Sequence, residues 1–277
     1  MTAWPAGIDP GRHKLVFVGG LHRSGTSLVA RLIAAHPEAS GLTGTGVFED
    51  EGQKLQDVYA PASAFGGAGR FAFSESMHMT ERDAGDEDER REKAARLLAA
   101  WAPYWDTERP VLVEKSPPNL LKTRYLQALF PNARFVLVER HPVAVAVATS
   151  KWSRSSRYSL VSHWVRAHER AAGDLPHLGA AMTLRYEDLV AAPERWYGAL
   201  TAFLGLGQQS PPLPVRGGVN EKYYAKWESG NLLERRSAKR AASEFEKRVA
   251  AFGYSLKPPY LLSVAESQDS GQAELAN

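Results

Sequence analysis

The chain has 277 residues, 44% hydrophobic and 23% charged, an ordinary globular composition with ample length for a buried core. Its net charge of +3 suits an anionic small ligand better than a polynucleotide, which calls for a clustered basic face. With no cysteine, disulfides, zinc–thiolate sites and thiol catalysis are excluded.

The opening stretch MTAWPAGIDPGRHK is broken by Pro and Gly and carries no apolar run of signal-peptide length. The longest apolar stretches are strand-sized, so no membrane span is expected, and a cytoplasmic location is the expectation. KLVFVGG (14–20) is a β-branched apolar run ending in glycines and predicts a buried strand. TSLVARLIAAH (26–36) then places Leu28, Leu32 and Ala35 on one helical stripe, with Thr26 or Ser24 available as its cap. From Gly41 to about Lys93 the periodicity weakens. GLTGTGVFEDEGQ is turn-rich, PASAFGGAGRFAFS is loop-like, and the acidic run ERDAGDEDERREK reads as a solvated loop leading into the surface helix RREKAARLLAAWAPYW.

RPVLVEK (109–115) predicts a second strand. SPPNLLKTRYLQALF follows as a helix with prolines near its first turn and Leu121, Tyr125 and Leu129 on one face. ARFVLVER (133–140) is a third strand, with Pro142 at the start of the helix after it. YSLVSHWVRAHERAAGDL is amphipathic, AAMTLRY (180–186) is a fourth strand, and APERWYGALTAFLGL is a helix ending at Gly205 or Gly207. After a Pro-rich connector (211–214), Ala238, Ala241, Phe245, Val249 and Phe252 stand in helical register before Gly253. The polar tail after Ser263 is expected to be disordered. Strands alternating with helices predict an α/β fold with a central parallel sheet flanked by helices. The expected organisation is one domain over 1–277, with a core of about 14–262, a substrate or lid insertion over 42–93 and the tail at 263–277.

Ligands of such sheets bind at the carboxyl ends of the strands. GGLHRSGTS, EKSP and ERHP all follow strands and so should share one edge. From Gly20 the first reads G-x-x-x-x-G-T-S, a phosphate loop with Thr26 where the lysine of G-x-x-x-x-G-K-[ST] would stand. A glycine loop opening a helix points backbone N–H groups at an anion, and Arg23 supplies a cation able to clamp it bidentately.

These residues resemble the sulfotransferases that use 3′-phosphoadenylyl sulfate (PAPS). LHRSGTS is similar to their 5′-phosphosulfate loop and VERHPVAVAVAT to their 3′-phosphate segment. RYEDLVAAP (185–193), the stretch from VEKSPP to VLVER, and VNEKYYAKW (219–227) with its V-N-x₅-K-W spacing follow in the same order, nearest to the tyrosylprotein sulfotransferase-like branch. The resemblance spans roughly residues 15–230 and implies a P-loop-like three-layer fold. It implies that Arg23, Ser24, Gly25, Thr26 and Ser27 hold the phosphosulfate, Arg140 the 3′-phosphate, Tyr186 the adenine and Lys226 the nucleotide. Lys115 would stabilise the transferring sulfuryl group, leaving adenosine 3′,5′-bisphosphate (PAP) as product. Two positions depart from the family pattern. Ala148 stands where a serine is usual, so a neighbouring hydroxyl, Thr149 or Ser150, is expected to bind the phosphate in its place, with Thr149 the assigned cofactor residue, and Leu28 replaces an adenine-stacking tryptophan.

The branch places its general base, a glutamate, shortly after the first helix. VFEDEGQ offers Glu49, Asp50 and Glu51, of which Glu49 is favoured; His22 is the rival, and His141, His163 and His168 are further cleft candidates. The expected reaction needs no metal, and its acceptor is the hydroxyl of a saccharide or small natural product rather than peptide tyrosine. No nucleic-acid partner is expected, and a homodimer is left open. Competing readings are a P-loop kinase-like NTP-dependent transferase, disfavoured by Thr26, and a non-catalytic nucleotide-binding protein.

Overall fold

In the computed structural model residues 7–9 and 11–262 are described; the expectation for the tail 263–277 lies outside them. Five parallel strands form one sheet: β1 (Lys14–Gly20), β2 (Ala39–Gly41), β3 (Val111–Lys115), β4 (Arg134–Glu139) and β5 (Ala181–Arg185), in the order β2-β3-β1-β4-β5. β1 lies between β3 and β4, with Val18 opposite Lys115 on one side and Gly20 opposite Val138 on the other.

The side-chain alternation of β1 sorts the layers. Val16 and Val18 face α1 (Thr26–Ala34) and α7 (Pro193–Leu204), packing with Val29, Leu32, Ile33, Leu200 and Leu204. Leu15 and Phe17 face α2 (Glu87–Trp101) and α3 (Thr123–Leu129), packing with Leu98, Trp101, Tyr125 and Leu126. A third cluster joins α4 (Pro142–Thr149), α5 (Arg157–Asp174), α8 (Glu221–Glu228) and α9 (Leu232–Ala250) through Val143, Val161, Trp164, Tyr223 and Phe245. The short α6 (Tyr186–Ala191) follows β5 directly. Among the described residues no helix is long and apolar enough to cross a membrane.

Several local expectations are corrected. β2, only three residues long, carries no apolar period and was not foreseen. α1 begins at a left-handed Gly25 without a side-chain cap, and its buried stripe runs through Thr26, Val29, Leu32 and Ile33 rather than through Leu28. SPPNLLK opens with a 3₁₀ turn over Pro117–Leu121, so the α-helix starts only at Thr123. The 42–86 stretch has no α-helix, yet it is packed: Tyr59, Ala62, Phe71, Ala72, Met77 and Ala84 are buried in the core clusters. The acidic run 81–93 is loop only to Asp86: α2 starts at Glu87 behind an Asp86–Glu89 capping box, so the second half of the run is helical.

Candidate active site

The carboxyl ends of β1, β3, β4 and β5 carry the loop 20–27, Lys115, Arg140 and Tyr186, as the sheet rule requires. Two glycines make the loop possible. A Cβ on Gly19 would stand 2.5 Å from the backbone nitrogen of Leu120, so the β1 end approaches the turn after β3 more closely than any side chain allows. Gly25 has φ 105°, and a Cβ there would meet the Tyr186 ring at 2.7 Å. The backbone N–H groups of Thr26 and Ser27 at the α1 start have no acceptor among the described residues, while those of Leu28 and Val29 bond the Gly25 carbonyl. The hydroxyls of Thr26 and Ser27 have no hydrogen-bond partner among the described residues. Ser24 differs: it is fully buried and its Oγ donates to the Leu21 carbonyl at 2.6 Å, so its side chain holds the loop rather than facing a ligand.

Arg23 is exposed, with φ 71°. Its guanidinium lies 4.9 Å from the Trp152 ring centroid, and its charge acts on the Tyr223 phenol. Burial pushes that phenol up, but Arg23, Lys222 and Arg140 outweigh it and hold Tyr223 below the ordinary tyrosine range. Arg140 is almost wholly buried. It donates to the Arg23 carbonyl at 2.9 Å and, through Nε and Nη2, to Asn220 Oδ1 at 3.0 and 2.7 Å, while its plane stacks on Tyr186 at 4.2 Å. Asn220 Nδ2 donates in turn to Glu187 Oε1 at 2.6 Å, and Glu187 also receives the His141 N–H and the Tyr254 hydroxyl. This network ties β4, α6, α8 and the C-terminal segment around Arg140. Asn220 and Glu187 both lie inside the VNEKYYAKW and RYEDL stretches. In sequence only their neighbours Lys226 and Tyr186 carry an expected role, and Tyr223 carries none.

On the other flank of β1, Lys115 is 7% exposed and its Nζ stands 3.5 Å from Glu51 Oε1 without a hydrogen bond. Burial pulls this lysine below its ordinary range, against the upward pull of Glu51, Glu49 and Glu114. Glu114, fully buried, accepts from Ser116 Oγ at 2.6 Å and Asn119 Nδ2 at 2.5 Å and is pushed up to about 7, chiefly by burial.

The three acidic candidates separate cleanly. Asp50 accepts from the N–H and hydroxyl of Thr45 and shapes the turn. Glu51 is buried and paired with Lys115, with Lys54 at 3.3 Å and with the Gln53 amide at 2.6 Å. Glu49 is exposed, with no hydrogen-bond partner among the described residues, and it shares with Ser27, Arg31, Asp50 and Lys115 the lining of a cavity of about 270 Å³. Among the described residues, Arg23, Glu49 and Asp50 alone adopt positive φ without being glycine. Such conformations cost about 1–3 kcal/mol each and gather at functional sites.

The histidines are largely structural. His22 packs edge-on against Phe71, its Nδ1 is buried without a partner, and burial holds it down to about 4. His163 accepts the Ala72 N–H and is held near 3 by burial. His168 stacks on Trp164, and His141 caps α4 among Tyr224, Tyr254 and Tyr260. Thr149 is buried with an unpartnered hydroxyl. Its neighbour Ser150 lines, with Lys151 and Lys226, a separate cavity of about 590 Å³.

A phosphate-type loop without its lysine, flanked by one arginine at each of β1 and β4 and a buried lysine at β3, defines an anion-transfer site on a parallel α/β sheet. The Sulfotransferase family profile matches residues 16–210, and the chain belongs to that family. It is 28% identical over 201 residues to protein-tyrosine sulfotransferase 2 of Gallus gallus, covering 69% of this chain and 51% of that protein. To protein-tyrosine sulfotransferase 1 of Homo sapiens it is 28% identical over 199 residues, covering 69% and 50%. The chain thus spans about half the length of these curated relatives. In structure it resembles the sulfotransferase domain of the Synechococcus PCC 7002 olefin synthase (TM-score 0.52, 19% identity, 92% of this chain and 100% of that one). It also resembles sulfotransferase STF1 of Mycobacterium tuberculosis H37Rv (TM-score 0.51, 16% identity, 87% and 79%). At these identities the likeness is one of fold.

Proposed function

We propose that the chain transfers the sulfuryl group of PAPS to an acceptor hydroxyl. One observation carries this reading: Glu49, Lys115 and Ser27 line a single cavity beside the anion loop. The residues fit the donor. Unpartnered Thr26 and Ser27 hydroxyls, free N–H groups at the α1 start and a buried Lys115 Nζ, ion-paired with Glu51 but without a hydrogen bond, form a cradle for a phosphosulfate. Arg23 clamps that group, Arg140 takes the 3′-phosphate, Tyr186 lies beside the adenine, and Lys226 contacts the nucleotide. The Thr149 hydroxyl, buried and unpartnered, is the group available to replace the one lost at Ala148, since Ser150 Oγ already donates to the Val147 carbonyl at 2.8 Å.

The donor supplies an activated sulfuryl group: the acceptor oxygen bonds to sulfur as the bond to the 5′-phosphate breaks, the electron pair leaving with PAP. Glu49 takes the acceptor proton, because its carboxylate is unengaged while Asp50 and Glu51 are committed within the protein. His22, walled in by Phe71 and held to about 4, is the poorer base. Arg23 and Lys115 neutralise the charge that develops on the sulfuryl and bridging oxygens, fixed in place before reaction. With these two cations and the loop N–H groups facing the anion, the proposed step needs no metal. The acceptor is the hydroxyl of a small molecule or saccharide, met in the cytoplasm, with the 42–93 segment forming one wall of its entrance.

Thermal shift with PAP against ATP–Mg²⁺ tests the reading. Stabilisation by PAP is expected; stabilisation by ATP–Mg²⁺ alone would replace sulfuryl transfer with NTP chemistry.

A further inference from the structure

Four of the polar side chains that line the Glu49 cavity already have roles: Ser27 in the anion loop, Glu49 as base, Asp50 bonded to Thr45, and Lys115 ion-paired with Glu51. Arg31 and Thr43 line the same cavity and have none. Arg31 stands in the last turn of α1, four residues and so about 6 Å along the helix from Ser27. Its Nε donates to the Ser27 carbonyl at 3.1 Å, which folds the side chain back along the helix toward the loop. Its two terminal nitrogens have no partner among the described residues, and no carboxylate there lies within ion-pair distance of it, Glu49 included. That leaves a planar fork of donors free, the geometry that meets a carboxylate with two parallel hydrogen bonds. The Thr43 hydroxyl, likewise unbonded among the described residues, is a further donor on the same cavity.

We propose that Arg31 sets the acceptor specificity of this cavity, selecting molecules that carry a carboxylate a short spacer away from the reacting hydroxyl. The inference rests on the sulfuryl-transfer reading above. The cavity holds the Glu49 carboxylate and adjoins the loop that would carry the sulfuryl group, so an anionic acceptor is repelled unless a cation is reserved for it. Lys115 is engaged by Glu51, and Arg31 is the remaining cation of the lining. The rest of the lining is small or apolar: Ala30, Ala34, Gly41, Leu42 and Val113. A Cβ on Gly41 would come within 2.9 Å of the Ala34 Cβ, so that part of the lining has no room for a larger side chain. A volume of about 270 Å³ with such walls suits a short spacer between the two polar ends of the acceptor. An aliphatic hydroxy acid and a uronic acid share this chemistry.

The experiment pairs direct binding with turnover. Ligand-observed NMR titration of the PAP-loaded protein uses 4-hydroxybutanoate, its neutral isostere 4-hydroxybutanamide, methyl glucuronide and methyl glucoside, and the same four serve as acceptors from labelled PAPS. The wild type is expected to favour at least one acid over its neutral counterpart about tenfold or more in Kd and in kcat/KM, the worth of one charge-assisted pair. Arg31→Gln should bring that ratio near one, and Arg31→Lys, which keeps the charge without the fork, should recover part of it. A preference confined to 4-hydroxybutanoate assigns the cavity to aliphatic hydroxy acids, and one confined to methyl glucuronide assigns it to uronic acids; both support the proposal. Acids used no better than their neutral counterparts, or a ratio unmoved by Arg31→Gln, overturn it while leaving transfer standing. An equal fall in kcat for all four acceptors in Arg31→Gln also overturns it, by assigning Arg31 to the reacting groups. Failure to bind PAP overturns sulfuryl transfer itself, and titration of 4-hydroxybutanoate into the ligand-free wild type and Arg31→Gln then still decides whether Arg31 holds a carboxylate.

Discussion

Replacing Lys115 by Met separates what this lysine does for stability from what it does for the reaction. Lys115 Nζ and Glu51 Oε1 are 3.5 Å apart, and their side chains are 7% and 5% exposed. At an effective dielectric of about 20 their attraction is about 5 kcal/mol. Orphaning one partner of such a pair costs about 3–5 kcal/mol. Glu51 keeps Lys54 at 3.3 Å and the Gln53 amide at 2.6 Å, so the loss should fall near the low end, about 3 kcal/mol. The double variant Lys115→Met, Glu51→Gln no longer buries an unpaired carboxylate and should regain most of that stability. It should not regain activity, because a preorganised charge facing the sulfuryl group is worth roughly 10²- to 10³-fold in rate. Denaturant unfolding near neutral pH and labelled-PAPS turnover on the same preparations give both readouts. Recovery of turnover in the double variant would refute a catalytic role for Lys115, and an unchanged unfolding midpoint in the single variant would refute the buried pair.

Gly25→Ala forces φ 105° on a residue with a Cβ and drives that Cβ to 2.7 Å from the Tyr186 ring; a stability loss of about 1–3 kcal/mol and weakened PAP binding are expected by denaturation and calorimetry. Glu114 is held at about 7 in the fold against 4.5 ordinarily, so the unfolded chain releases this proton first and stability falls as pH rises from about 4.5 to 7. That shift corresponds to a loss on the order of 3 kcal/mol, and Glu114→Gln should gain stability relative to the wild type across the same window in unfolding experiments. His168 is held at about 4 in the fold against 6.5 ordinarily, so its stabilisation is full above pH 6.5 and is lost as pH falls toward 4. His168→Phe, keeping a ring against Trp164, should lower the acid-unfolding midpoint followed by circular dichroism; an unmoved midpoint would exclude this histidine as an acid trigger.

The parts of this molecule visible in the sequence are those written in local spacing. β1, β3 and β4 each hold an apolar run, and the anion loop is fixed by two glycines five apart, so both could be placed without the fold. Ala39–Gly41 pairs with β3 only because the chain leaves α1 alongside it, and three small residues carry no pattern. The ranking of Glu49, Asp50 and Glu51 depends on which carboxylate is already engaged, and Glu51 is engaged by Lys115 from the end of β3. Asn220, Glu187 and Tyr223 matter through contacts with Arg140 and Arg23, and residues so far apart in the chain show no spacing rule. Ser24 shows the converse. It fits the loop pattern, yet its hydroxyl closes the loop on Leu21.

In the proposed reaction Glu49 is the base and Arg23 the clamp on the sulfuryl group. Transfer of label from PAPS to an acceptor hydroxyl, measured in wild type, Glu49→Gln and Arg23→Ala, tests it most directly. PAPS-dependent product is expected from the wild type. For Glu49→Gln a kcat lower by roughly 10²- to 10⁴-fold with PAP affinity retained is expected, and for Arg23→Ala a loss of both. Undiminished turnover in Glu49→Gln or Arg23→Ala would contradict these roles.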